Sequence, residues 1–375
     1  MNTPSPRMII FVTLIALVIG GIIYLNSQKA SRAAIGGKVE VKTTMNKEEK
    51  TKRYPVAKEI TTPDGFINTE GKPVAIGEFV GKKVVLLDIW TYSCINCQRT
   101  TPYLNAWYEK YKDKGLVIIG LHTPEFEFEK DYQNVLKATK RIGIKFPVVL
   151  DNDYSTWNAY QNRFWPRKYL IDIDGFVVYD HIGEGAYEET EKKIVELLNE
   201  RSTILGEEKV PFDMKKSGNA VDVQFGMVKS KETYLGSSRV EYIANLPGPS
   251  CFGNICNFTE PGSLPLNTFA LSGAWTIKKE EAYLNETPGD ISIRFSANKV
   301  NLVAGGNGKI IRAEIYLDDK KISDIQAGSD VKDGNVLFEN SQLYNLVDLR
   351  GNYGEHILKI KILDGGFSGF AFTFG

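Results

Sequence analysis

The pattern of apolar and polar positions divides the chain into four zones. Met8 to Leu25 carries no charge over 18 residues, and as a helix it would rise about 27 Å, close to the thickness of a bilayer core. It predicts one membrane-spanning helix. Asn26, Ser27, Gln28 and Lys29 follow directly, without a small-x-small cleavage site, so residues 1–25 read as a retained anchor, with a cleaved signal peptide or a buried core helix as the alternatives. Residues 26–55 are polar and lack a sustained apolar period, which predicts a flexible tether. From 56 to 200, continuous apolar runs alternate with amphipathic stretches, the mark of an α/β domain. From 201 to 375, short alternating strands are separated by Gly, Asn, Asp and Pro. Ile291 to Phe295, Val300 to Ala304, Ala313 to Leu317 and His356 to Leu363 are examples. They predict an all-β sandwich of the jelly-roll type.

Within the α/β zone, Val84 to Trp90 (VVLLDIW) is apolar except for Asp88 and predicts a strand buried on both faces. Thr91-Tyr92-Ser93-Cys94-Ile95-Asn96-Cys97 comes next. Tyr103, Leu104, Trp107, Tyr108 and Tyr111 then recur at helical spacing. This order places Cys94 at a helix N-terminus, where free backbone N–H groups and the helix dipole favour a thiolate. Cys94 is the candidate nucleophile. Cys97, one turn further in, is the candidate resolving thiol. Leu116 to Leu121 predicts a second buried strand, Phe126 to Ile142 an amphipathic stretch and Phe146 to Leu150 a short strand. Lys168 to Asp172 and Phe176 to Tyr179, joined through Asp174-Gly175, read as a hairpin. The last helix of the zone spans about Tyr187 to Glu200. His122 and Glu125 fall at the C-terminal end of a central strand, where an open α/β sheet gathers its active-site loops.

These motifs resemble the thioredoxin superfamily. Asp88 lies six residues before the first cysteine, Trp90 four before it and Pro102 eight after it, as in that family. The resemblance implies that Asp88 is a buried proton acceptor for Cys97, with its pKa raised by desolvation. It also implies that Pro166, in Phe164-Trp165-Pro166-Arg167, is the cis-proline facing the CxxC. Trp165 and Pro166, together with Trp90 and Tyr92, would then shape a substrate groove. The longer segment between the CxxC and Pro166 resembles the membrane-tethered TlpA and ResA group. WTY-x-CINC, the stretch His122-Thr123-Pro124-Glu125-Phe126 and the Trp-Pro pair are most similar to the C-terminal part of DipZ-type proteins of cytochrome c biogenesis. There the thioredoxin-like domain is followed by a β sandwich that resembles carbohydrate-binding modules. Because DipZ proteins carry a multi-helix membrane domain and this chain has one apolar span, the resemblance implies a separate CcdA/DsbD-like membrane electron donor.

Composition narrows the picture. Lys plus Arg and Asp plus Glu both total 46, so nucleic acid is not an expected partner. The four cysteines form two tight pairs. Cys251 and Cys256 sit in a Pro/Gly-rich loop and point to a structural disulfide, with a second redox pair or free thiols as the alternatives. No His stands at ligand spacing from Cys94 and Cys97, so no metal is expected, and no cofactor beyond the redox-active cysteine pair. Positive charge after the span (Lys29, Arg32, Lys38, Lys42) would by itself keep the bulk of the chain in the cytoplasm. The paired cysteines argue for the oxidising side, so the soluble part is assigned to the periplasm or cell surface. The chain therefore reads as a membrane-anchored extracytoplasmic thiol-disulfide oxidoreductase acting on protein substrates, in cytochrome c maturation or thiol reduction. The competing reading is a cell-surface binding module for glycan or protein on a redox-inactive thioredoxin platform.

Overall fold

The computed structural model describes residues 45–212 and 225–375. The predicted span Met8 to Leu25 and most of the predicted tether lie outside the described residues. Among the described residues no helix is long and apolar enough to cross a membrane.

The tether prediction needs correcting at its C-terminal end. Lys47–Arg53 is a helix, α1. Within it the Lys50 ammonium is buried and ion-paired to Asp172, Asp174 and Glu200 at 2.7, 2.6 and 2.6 Å. The charge density that made this stretch look solvated is here neutralised by a matching set of carboxylates.

The first domain is a six-stranded sheet in the order β1-β4-β3-β2-β5-β6. Its strands are β1 (Gly65–Ile67), β2 (Val84–Trp90), β3 (Leu116–His122), β4 (Val148–Leu150), β5 (Arg167–Ile171) and β6 (Val177–Ile182). Strands β2, β3 and β4 run parallel, while β1, β5 and β6 are antiparallel to their neighbours. Every residue of β2 and β3 is buried, which accounts for their unbroken apolar runs. Helices α2 (Ile95–Tyr111), α3 (Tyr132–Ile142), α4 (Ser155–Ala159) and α5 (Tyr187–Leu205) surround the sheet. Alternate β2 residues feed two cores: Val84, Leu86 and Trp90 face one, and Val85, Leu87 and Ile89 face the other. The 17 residues of α2 begin immediately after Cys94 and contain Pro102. The hairpin β5–β6 turns through Gly175 at φ 89°.

The second domain is all β. Its strands are β7 (Thr233–Tyr234), β8 (Ile255–Phe258), β9 (Phe269–Ile277), β10 (Ala282–Ala297), β11 (Lys299–Gly305), β12 (Ile311–Leu317), β13 (Lys320–Lys321), β14 (Asn335–Phe338), β15 (Gln342–Asp348), β16 (Gly354–Ile362) and β17 (Ser368–Phe374). Hydrogen bonds join all eleven into one curled sheet. The 16-residue β10 makes the curl possible. Its start pairs with β17, its end with β16, and its register against β9 shifts twice between Leu284 and Asp290. A single large core including Trp275, Phe295, Phe338, Phe367 and Phe372 fills the interior.

A fourth, smaller cluster joins the domains. Phe126 from the loop after β3 is buried with Val303, Leu343, Phe370 and Ala371 of the β domain, and Ile95 and Phe128 pack against them.

Candidate active site

Cys94 is the N-cap of α2, and its sulfur accepts the Cys97 backbone N–H at 3.3 Å. A helix start leaves its first N–H groups without intrahelical acceptors, so a sulfur placed there meets an electropositive environment. Cys94 is partly exposed and Cys97 is 2% exposed. Burial, and then the nearby Cys94 sulfur, push the Cys97 thiol well above its ordinary range. One thiol is thus placed to meet a substrate, while the other reacts only when something takes its proton.

Asp88 is the group placed to do so. It lies on β2 on the core face beneath Cys97, 2% exposed, and burial raises its carboxyl to about 7. One of its oxygens has no hydrogen-bond partner. Lys168, fully buried on β5, is its partner in the strand register and lowers the shift through its charge. The ammonium of Lys168 donates to Gly183 O at 3.0 Å, and burial lowers its own pKa. On the next strand Gly120 lies opposite Asp88. A Cβ there would stand 2.9 Å from Trp90 Nε1 and 3.0 Å from Phe146, so glycine is required for the close packing around the indole.

The Trp165–Pro166 bond is cis. Pro166 O accepts the Gly183 N–H at 2.8 Å, and the Trp165 indole donates to Thr123 O at 3.0 Å while packing on Trp157 at 4.3 Å. Trp165 is half-buried, Phe164 is exposed, and Trp165 and Cys94 border the same core cluster. Arg99, two residues after Cys97, donates to Asn96 Oδ1 at 2.7 Å and grips Glu184 through two bonds of 2.9 and 2.5 Å. The CxxC dipeptide is in this way braced against the loop that holds Pro166.

Two of the expected groove residues are placed otherwise. Trp90 is 2% and Tyr92 1% exposed, so both support the CxxC from behind. Tyr92 stacks on His122 with centroids 5.6 Å apart, and its hydroxyl donates to Ser341 O of the β domain at 3.2 Å. His122 is fully buried, and burial lowers its pKa to about 3, so it is neutral at physiological pH. Glu125 accepts from Tyr234 at 2.8 Å and Arg239 at 2.6 Å, both in the β domain. Its role in the structure is to hold the two domains together.

Sequence reasoning missed two residues. Lys168 reads as the polar position of a hairpin strand, and only the register shows that it faces Asp88. Glu129 sits in the run Glu125-Phe126-Glu127-Phe128-Glu129-Lys130, which resembles a solvated edge. It is nevertheless fully buried and accepts the N–H groups of Ser93, Glu125 and Phe126 at 3.1, 2.6 and 3.0 Å. Burial raises its carboxyl. Through Ser93 it fixes the approach to Cys94. Cys251 and Cys256 are joined by a disulfide of 2.07 Å, on the β domain.

Fold and site together define a thioredoxin-like redox protein, and the chain belongs to the thioredoxin-like thiol-disulfide oxidoreductase family. Residues 52–198 match the family described as Redoxin, and residues 230–375 match the one described as thioredoxin like C-terminal domain. Protein DipZ of Mycobacterium bovis is 39% identical over 257 residues, covering 67% of this chain and 36% of DipZ. The chain thus spans about a third of the length of that relative. Thiol-disulfide oxidoreductase ResA of Bacillus cereus is 37% identical over 122 residues, 32% of this chain and 67% of ResA. A putative thiol:disulfide interchange protein DsbE from Chlorobium tepidum, whose crystal structure is known, is 25% identical with a TM-score of 0.34. That match covers 39% of this chain and 96% of the other.

Proposed function

We propose that this chain exchanges thiols and disulfides with protein substrates through Cys94 and Cys97. The observation that carries the reading is the stack of Cys94 at the helix N-terminus, Cys97 buried one turn in and Asp88 on the strand below, with its carboxyl raised to about 7. In the reducing direction the Cys94 thiolate attacks a substrate disulfide. A Cys94–substrate disulfide forms and one substrate thiolate leaves. Asp88 then takes the Cys97 proton, and Cys97 attacks the Cys94 sulfur. The second substrate thiol is released, and the pair ends as a disulfide that an external dithiol must reduce. Two electrons pass to the substrate. The cis-Pro166 loop with Trp165 is the surface against which the substrate backbone is held. No cofactor beyond the cysteine pair enters this scheme.

The thioredoxin-like domain, which ends with α5 at Leu205, is the catalytic domain in this reading, and the β domain of residues 225–375 is a sandwich of the jelly-roll type that orients substrates. Met8 to Leu25 would anchor the chain as a single-pass protein with its domains outside the cytoplasm, supplied with electrons by a CcdA/DsbD-like carrier. The apolar span and the likeness to DipZ and ResA support that placement, and the same likeness supports cytochrome c maturation or thiol reduction as the context.

The test is reduction of a peptide disulfide by fragment 45–375 with dithiothreitol as electron source. Cys97→Ser should accumulate a mixed disulfide on Cys94, visible by mass, and Cys94→Ser should abolish turnover. Undiminished turnover by Cys94→Ser would sink the proposal.

A further inference from the structure

A second binding feature adjoins the redox site. A cleft of about 240 Å³ lies between α3 and the start of β15, lined by Tyr92, Asn134, Lys137, Ala138, Arg141 and Ser341, among others. Asn134, Lys137 with Ala138, and Arg141 are spaced three to four residues apart, which places them on one face of α3. The other wall is Asn340-Ser341-Gln342 of the β domain, and Tyr92, whose hydroxyl donates to Ser341 O, also lines the cleft.

The charges in this cleft are unbalanced. Among the described residues neither Lys137 nor Arg141 is within salt-bridge distance of a carboxylate, although other lysines on the same domain, such as Lys110, Lys112 and Lys130, are paired. Asp330 faces Arg141 from the β domain without forming an ion pair with it, and it is occupied by the Asn345 N–H at 2.7 Å. Arg141 stays exposed on the helix face, and partial desolvation on its cleft side, opposed by the charge of Asp330, lowers its pKa. A guanidinium and an ammonium on one helix face, opposite the β-domain wall, make a receptor for carboxylates carried on an extended chain.

We infer that this cleft holds an acidic segment of the protein substrate, an Asp/Glu-bearing stretch flanking the cysteine that Cys94 attacks. The inference rests on the proposed thiol-disulfide function and specifies its substrate. Tyr92, which lines the cleft, precedes Cys94 by two residues, so the cleft and the nucleophile share one short segment of chain. The β domain is then a working part of substrate selection: without it the cleft has one wall.

The experiment uses fragment 45–375 and two peptide disulfides identical except that one carries three glutamates on one side of the cysteine and the other three glutamines. Reduction rates are measured at low and high salt. The glutamate peptide should show a kcat/KM about five- to tenfold higher at low salt, an advantage that salt erases. The double variant Lys137→Gln/Arg141→Gln should lose the advantage while reducing the glutamine peptide at the wild-type rate. Equal rates for the two peptides in the wild type would overturn the inference and leave the redox function standing. Failure to reduce either peptide would overturn the redox function instead. In that case anisotropy of the labelled glutamate peptide with Cys94→Ser decides the cleft separately: salt-sensitive binding lost in the double variant supports it, and no binding overturns it.

Discussion

Asp88→Asn separates the proton-handling role of this carboxylate from mere packing. In the reduced protein the carboxyl is raised from 3.8 to about 7 by burial, partly offset by Lys168. A raised acid pKa means that between about pH 4 and 7 the folded state holds a proton that the unfolded state has lost, so stability falls as pH rises through that window. About 3 units at ~1.4 kcal/mol each set an upper limit of about 4 kcal/mol. Removing the carboxylate also removes the charge facing Lys168, which burial already disfavours as an ammonium. The net gain expected for Asp88→Asn above pH 8 is therefore smaller, about 2 kcal/mol, and it should vanish near pH 4, where wild-type Asp88 is protonated. Urea unfolding midpoints at about pH 4.5, 6 and 8 measure this directly. Resolution of the mixed disulfide by Cys97 should slow in the same variant, because the acceptor for its proton is gone. Parallel pH profiles for the two proteins, or a variant less stable than wild type at pH 8, would refute the account of Asp88.

Three further perturbations test the supports of the site. Glu129→Ala strands the N–H groups of Ser93, Glu125 and Phe126 and should cost about 3 kcal/mol by urea unfolding while slowing peptide reduction. Glu129→Gln, which keeps an acceptor, should recover part of both. Phe370→Ala removes the ring that packs at 4.7 Å on Phe128 and 5.3 Å on Phe126. It should cost about 3 kcal/mol and increase proteolysis between the domains, whereas an unchanged midpoint would mean that the joint cluster does not hold them. Cys251→Ala/Cys256→Ala opens a loop with a sequence separation of 5 and should cost about 2 kcal/mol by urea unfolding. Peptide reduction should be unaffected, and its loss would assign this pair to the electron path.

The sequence makes the catalytic half of the site legible because its signals are local. An acid inside an apolar strand, a CxxC at the following helix start and a Trp-Pro before a hairpin each occupy a few consecutive residues, and the strands and α2 follow from them. What stays hidden depends on distant pairing. Glu129 looks solvated until the loop after β3 folds its three N–H donors onto it. Lys168 meets Asp88 only through the β2–β5 register. The resemblance puts Tyr92 and Trp90 in the groove, but the β domain and the core of the first domain claim both rings. That the β domain covers Ile95 of the CxxC dipeptide is invisible in the pattern, since Ile95, Val303, Leu343 and Phe370 come from segments far apart in the chain. In the curled sheet the strand positions were readable, but the pairing of β10 with three partners was not.

The central claim is tested most directly by equilibrating fragment 45–375 in graded glutathione or dithiothreitol buffers, trapping free thiols and locating the label by mass. The account predicts one two-electron transition in which Cys94 and Cys97 gain or lose label together while Cys251 and Cys256 stay bonded. A midpoint below about −230 mV would mark a reductant and one above about −160 mV an oxidant. Label on Cys94 and Cys97 that does not change with buffer potential would contradict the claim.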